Sequence, residues 1–219
     1  GLYVYSDVAR IKRDESSLYN VDSDQRLRVG AAVGTDPEAL ERVALMRGKV
    51  KVDVIVVDTA RGDSLNALNT LNALKKAHPD LDVVVGNISE GRSAELLAKA
   101  GADGIKVGQG PGSICTTRIV AGVGCPQVTA VYNCSRAVES FGIPVCADGG
   151  ITQSGDIPIA IGAGASSIMA GSLFAGTDES PGEIVIHQGV RMVPYRGMGS
   201  ASAMRESKAS RKRYGDQEN

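Results

Sequence analysis

The chain has 219 residues, 42% of them hydrophobic but only 4% aromatic, with 27 glycines and no tryptophan. Its formal net charge of −1 excludes a broad electrostatic pull toward nucleic acid or an anionic membrane surface, so neither is expected as the primary partner. The length supports one sizeable core, in one or two domains. That core must be built from Val, Ile, Leu and Ala with many tight turns, a balance that suits a parallel α/β protein.

Four cysteines, Cys115, Cys125, Cys134 and Cys146, form no C-x-x-C pair and have neither His78 nor His187 nearby in sequence. This spacing speaks against a zinc site and for reduced thiols in a cytoplasmic protein. No basic-then-apolar leader and no apolar run near ~20 residues is present, so neither a signal peptide nor a membrane span is expected.

In chain order, residues 1–24 hold a short apolar stretch, Leu2–Val8, and a polar link. Leu27–Val33 reads as a strand, and Asp36-Pro37-Glu38 carries the cap, proline and acid of a helix start. Val52–Asp58 is a continuous apolar strand, Ser64–Ala77 a helix, Leu81–Val85 a strand closing on Gly86-Asn87. Ser89 is placed to cap a helix running to Lys99, with Gly101 to end it. Asp103–Val107 is the next strand, followed by a glycine-rich loop over Gly108–Gly124 and a helix over Thr129–Phe141. Ile143–Ala147 is a strand ending in Asp148-Gly149-Gly150. Ile157–Gly162 is a short helix, and Ser166–Ala170 a strand ending in Gly171-Ser172. Residues 194–219, rich in small and basic residues, read as a mobile flap, and its run from Arg205 to Arg213 reads as a solvated segment.

Strands alternating with helices imply parallel pairing through right-handed crossovers. The unusual residues, Asp58, Asn87, the 108–124 loop, Asp148 and Ser172, all fall at strand C-terminal ends, where a (β/α)8 TIM barrel keeps its chemistry. The last two strands end in glycine turns suited to a phosphate, as after strands 7 and 8 of a barrel, which makes the first strand here number 3. A doubly wound sheet is the alternative; no G-x-G-x-x-G opens a helix after the first strand.

The segment Gly108-Gln109-Gly110-Pro111-Gly112-Ser113-Ile114-Cys115-Thr116-Thr117-Arg118 sets a cysteine in a glycine-shaped loop beside two hydroxyls and an arginine, a setting that favours a nucleophilic thiolate. Cys134, on a helix, and Cys146, in a strand, are expected to be buried and inert. Asp58 has a plainer reading as a cap for the next helix, and Asp148 as a structural acid.

These motifs resemble one family. GPGSICTTRIVAGVG followed by PQ-x-TAV within 107–131, ADGGI at 147–151, GDI-x-x-A at 155–160, GSLFAGT-x-ESPGE at 171–183 and YRGMGS at 195–200 are similar to those of IMP dehydrogenases and GMP reductases, as are RLRVGAAVG at 26–34 and VDVIVVDTA at 52–60. The resemblance implies a (β/α)8 barrel, here strands 3 to 8 over 25–193, with 1–24 the tail of a CBS regulatory insert and linker, and 194–219 the start of the active-site flap. It also implies NAD-dependent oxidation of IMP to XMP through a covalent thioimidate on Cys115, in a homotetramer. Ser113, Asp148, Gly150, Gly171, Ser172, Tyr195, Gly197, Met198 and Gly199 would bind IMP: Asp148 at the ribose, Gly150, Gly171, Ser172 and Tyr195 at the phosphate, and the last three at the base. Thr117 would assist proton transfer, and Arg213-Tyr214 would activate water. Asp58, Thr59, Asn87, Gly108 and Gly110 would line the NAD site, and the carbonyls of Gly110, Gly112 and Cys115 would supply half of a potassium site.

The sequence departs from the family pattern at two places. Gly215-Asp216 separates the dyad from Gln217, where Phe-Gln often follows directly, and Arg61 replaces a common histidine. Arg118-Ile119-Val120 and Arg213-Tyr214 favour the dehydrogenase over a GMP reductase; a catalytically silent nucleotide-binding fragment is the alternative of another class.

Overall fold

The computed structural model describes residues 20–178, 180, 182–197 and 200–206. Six parallel strands form its sheet: β1 (Gly30–Val33), β2 (Val54–Asp58), β3 (Asp82–Ile88), β4 (Gly104–Val107), β5 (Val145–Asp148) and β6 (Ser167–Met169). They pair strictly in chain order, β1-β2-β3-β4-β5-β6. A doubly wound sheet reverses its strand order at a switch point, and this sheet has no reversal. It is a partial (β/α)8 barrel, and the doubly wound alternative falls.

The helices are α1 (Ala39–Val50), α2 (Leu65–Ala77), α3 (Gly91–Lys99), α4 (Thr117–Ala121), α5 (Gln127–Val138), α6 (Asp156–Gly162) and α7 (Ala201–Glu206). Neighbouring helices pack on one another, α1 on α2, α3 on α5 and α5 on α6, as a single outer layer requires. Strand side chains alternate between faces. Ile55, Val57, Val83, Val85, Ile105, Val107, Val145 and Ala147 are buried, and Val43, Leu71, Leu74, Leu97, Val131 and Val138 from the helices share their core. The alternate residues of β2 and β5, Val54, Val56, Asp58, Cys146 and Asp148, are only half-buried. They face the barrel interior.

Leu71 is fully buried in this layer. Leu71→Ala is expected to lower the unfolding free energy of the intact protein by about 2–5 kcal/mol, read by urea denaturation, because a rigid core closes only partly over the lost volume.

Several local devices match the sequence pattern and others differ. Ser64 caps α2, its hydroxyl accepting from the Ala67 amide at 3.3 Å. This removes the capping role considered for Asp58. Asp36 closes the turn before α1 by accepting from the Glu38 amide at 3.2 Å. Gly101, at φ +91°, follows α3 as expected of a helix stop. Ser89 does not cap α3: its hydroxyl donates instead to Gln109 at 2.7 Å, drawn off by a tertiary partner. The strand expected to close on Gly86-Asn87 continues through both residues to Ile88, because the Gly86 carbonyl and the Asn87 amide bond to Thr59 in the neighbouring loop. The 108–124 loop contains the single-turn helix α4, stopped by Gly122 at φ +63°. An antiparallel hairpin, β7 (Val185–His187) and β8 (Val190–Met192), follows the sheet and has no counterpart in the sequence reading. Among the described residues no helix is long and apolar enough to cross a membrane.

Candidate active site

The site forms where β2 to β6 end. Along the interior face, Asp58 registers with Gly86, Gly86 with Lys106, and Lys106 with Cys146, two residues before Asp148. Lys106, 2% exposed, lies 2.9 Å from Asp58 Oδ1 and donates also to Asp148 Oδ2. Asn87 Nδ2 donates to the same Asp148 oxygen at 2.8 Å and to the Gly108 carbonyl at 2.7 Å. Thus Asp58, Asn87, Gly108 and Asp148, four residues singled out from sequence, share one hydrogen-bonded network. Thr59 borders it, its hydroxyl donating to the Gly86 carbonyl at 3.1 Å. The Asn87 Oδ1 atom is buried without a partner among the described residues, at the cost of an unmade hydrogen bond.

The cysteine loop lies across these strand ends. A turn brings the Cys115 amide 2.9 Å from the Gly112 carbonyl, and the half-buried Cys115 thiol donates to the Thr117 hydroxyl at 3.3 Å. Arg118 braces the loop from behind, donating to the Gln109 carbonyl at 3.0 Å and to the Cys125 carbonyl. Its side chain packs where a β-carbon on Gly110 would sit, 2.8 Å away. Gly110, at φ +77°, therefore meets both a backbone and a packing demand that only glycine satisfies.

Three contacts close the site. Gly149, at φ +91°, packs against Pro111 and Gly112 so tightly that a β-carbon there would come within 2.9 Å of Pro111. This sets the Asp148-Gly149-Gly150 turn beside the cysteine loop and Ser113. The Tyr195 hydroxyl lies over Gly171, next to Ser172. Gly197 lies against Ile114, so the segment after β8 also meets the loop. Met198, Gly199, Arg213 and Tyr214 lie outside the described residues.

Burial pushes the Cys134 thiol up to about 12 and also raises that of Cys146, against a hydrogen bond with Ser167. Sequence reasoning missed Lys106, Gln109 and Gln127. Lys106 left a signal: a lysine between Ile105 and Val107 in a strand whose every residue is buried needs a charged partner. Gln127 clamps the Val107 carbonyl at 2.9 Å and that of Asp148 at 3.3 Å, and Gln109 reaches the Ala60 carbonyl at 3.0 Å. Nothing local announces either contact.

A singly wound parallel sheet with glycine turns, paired acids and a thiol loop at its strand ends defines a partial barrel with these residues on its C-terminal edge, where barrels keep their active sites. Residues 4–219 match the IMP dehydrogenase / GMP reductase domain, and the chain belongs to that family. It is 50% identical over 217 residues to an inosine-5'-monophosphate dehydrogenase of Aquifex aeolicus, covering 99% of this chain and 44% of that protein. It is 47% identical over 219 residues to the Bacillus subtilis enzyme of that name, covering 100% of this chain and 44% of that protein. With that of Helicobacter pylori strain 26695 it shares 52% over 214 residues, 98% of this chain and 43% of that protein. The chain thus spans less than half the length of these relatives.

Proposed function

We propose that this chain carries the nucleophile and most of the nucleotide site for NAD-dependent oxidation of IMP to XMP; the name inosine-5'-monophosphate dehydrogenase, borne by its relatives, supports IMP as the substrate oxidised. The observation that carries the reading is the seating of Cys115 in a loop packed against the Asp148-Gly149-Gly150 turn and against Gly197. A reactive thiol, a ribose acceptor and phosphate-sized backbone turns then surround one volume.

In this reading the Cys115 thiolate adds to C2 of the purine, and the C2 hydrogen leaves as hydride, giving a thioimidate. Water adds to that carbon and the thiol departs, so IMP, NAD+ and water yield XMP, NADH and a proton. Asp148 holds the ribose hydroxyls: its hydrogen bonds among the described residues reach Oδ2, and Oδ1 remains to accept. Gly150, Gly171, Ser172 and Tyr195 hold the phosphate, and Ser113, Gly197, Met198 and Gly199 complete the IMP contacts. Asp58, Thr59, Asn87, Gly108 and Gly110 would hold NAD+, which would supply the hydride acceptor.

Thr117 accepts from the resting thiol and assists proton transfer once water enters, with Arg213 and Tyr214 activating that water. The carbonyls of Gly110, Gly112 and Cys115 fit a potassium ion as oxygen donors. Gly112 spends one lone pair on the turn to Cys115 at 2.9 Å and keeps the other. A cytoplasmic homotetramer, with 1–24 ending a CBS insert, 25–193 as barrel and 194–219 as flap, completes the reading.

The test is formation of XMP and NADH from IMP, NAD+ and K+ by the natural full-length protein. NADPH-dependent conversion of GMP would make it a reductase. IMP binding without turnover would make it a nucleotide-binding protein.

A further inference from the structure

Lys106 joins two carboxylates that the reading above assigns to different nucleotides: Asp148 to IMP and Asp58 to NAD. The geometry of the sheet permits this. Strands two apart stand ~10 Å from one another in a flat sheet, a span that the long side chain of Lys106 on β4 crosses to meet Asp58 on β2. The residue between them in register is Gly86, where a β-carbon would fall 2.6 Å from that of Lys106. Any side chain there would fill the path of the lysine to Asp58. The amine is 2% exposed and the two carboxylates 18% and 21%, so solvent screens their interaction only in part.

We infer that Lys106 is a positioning residue shared by the two nucleotide subsites, holding Asp148 for the ribose of one and Asp58 for the other; the inference rests on the proposed function for the identity of the ligands. Two carboxylates and one ammonium give these three groups a net charge of −1. Lys106→Met makes it −2 and sets two partly buried carboxylates against each other without a cation. Both subsites then loosen together. The chemistry at Cys115 lies elsewhere, in the loop after β4, so affinity suffers more than kcat. Adding Asp58→Asn returns the net charge to −1 and relieves the repulsion on Asp148, while the NAD side still lacks its acid.

The test measures IMP dissociation constants, KM for NAD+ and kcat on the full-length protein. Lys106→Met is expected to weaken IMP binding and raise KM for NAD+ by roughly tenfold or more each, with a smaller fall in kcat. The double variant Lys106→Met/Asp58→Asn is expected to recover part of the lost IMP affinity but none of the NAD+ affinity. A merely structural lysine would give no such split, since a second substitution in the same cluster would only add damage. If Lys106→Met fails to fold, the double variant is expected to fold. Restoration of neither folding nor IMP binding overturns the inference, as does a Lys106→Met protein that binds both nucleotides like the wild type. A wild-type protein that binds neither nucleotide overturns the proposed function and this inference with it.

Discussion

Cys115→Ala is expected to abolish turnover of IMP, with kcat falling roughly 10^4-fold or more, while IMP affinity stays within a few-fold of wild type. The size follows from the role. Without a thiolate no covalent intermediate forms, and the remaining groups orient the nucleotide without supplying a nucleophile. The preserved affinity follows from the layout, because Asp148, the proposed ribose acceptor, and the turns at Gly150 and Gly171 proposed for the phosphate lie on β5 and β6 and on the segments that follow them, not on the cysteine loop. Alkylation checks the same assignment independently. At pH 8 iodoacetamide is expected to label Cys115 ahead of Cys134, whose thiol burial holds at about 12, and of Cys146, raised by burial as well. Bound IMP should protect Cys115. A variant that still makes XMP, or labelling that falls first on Cys134, would remove Cys115 from the mechanism.

Gly108→Ala is expected to be the most damaging glycine-to-alanine change among the described residues. Gly108 leaves β4 at φ +151°, and a β-carbon there would lie 1.9 Å from the Asp148 carbonyl oxygen. Its own carbonyl receives the Asn87 amide at 2.7 Å, and its amide donates to the Ile88 carbonyl at 2.9 Å. The residue therefore cannot shift without dragging β3 and β5. Steric overlap and unfavourable backbone conformation together are expected to lower stability by about 3–5 kcal/mol and to weaken IMP binding at least tenfold through Asp148. Gly101→Ala is the control. It has a positive φ of +91° with nothing within 4 Å of the added carbon, so only the conformational cost of about 1–2 kcal/mol applies. Thermal melts and IMP titrations of the two variants separate the effects. Equal losses would mean that the Gly108–Asp148 approach is not tight in solution.

Both predictions depend on one arrangement. The cysteine loop, the Asp148 turn and the Asp58–Asn87 edge are held by a few contacts between different strand ends, each made by a residue with little tolerance for change. Gly110 is backed by Arg118, Gly149 by Pro111, and Gly86 by Lys106. Substitutions at these positions should therefore disturb the site and the packing of the strand ends together.

Much of this was legible in the chain itself. Continuous apolar runs such as Val54–Val57, alternating with helical spacing, are set by short-range preferences and by burial on both faces of a parallel sheet. They specify the strands and the parallel α/β class without knowledge of partners. Gly101 acted as the helix stop it resembles, because a stop needs only the last turn of its own helix. The cysteine loop was legible for a related reason, since three glycines and a proline around a thiol constrain the backbone wherever the segment lies.

Tertiary structure decided the rest. Periodicity is the same in a doubly wound sheet and in a barrel; only the pairing of every strand with its successor separates them. Ser89 has the chemistry of a cap, yet Gln109, 20 residues away, takes its hydroxyl. Lys106 looks misplaced in its strand until strand pairing brings Asp58 and Asp148, 48 residues before it and 42 after, to the same amine. Local sequence encodes backbone preference and which face a residue takes, but an ion pair in a barrel interior depends on distances that exist only after the strands have closed around it.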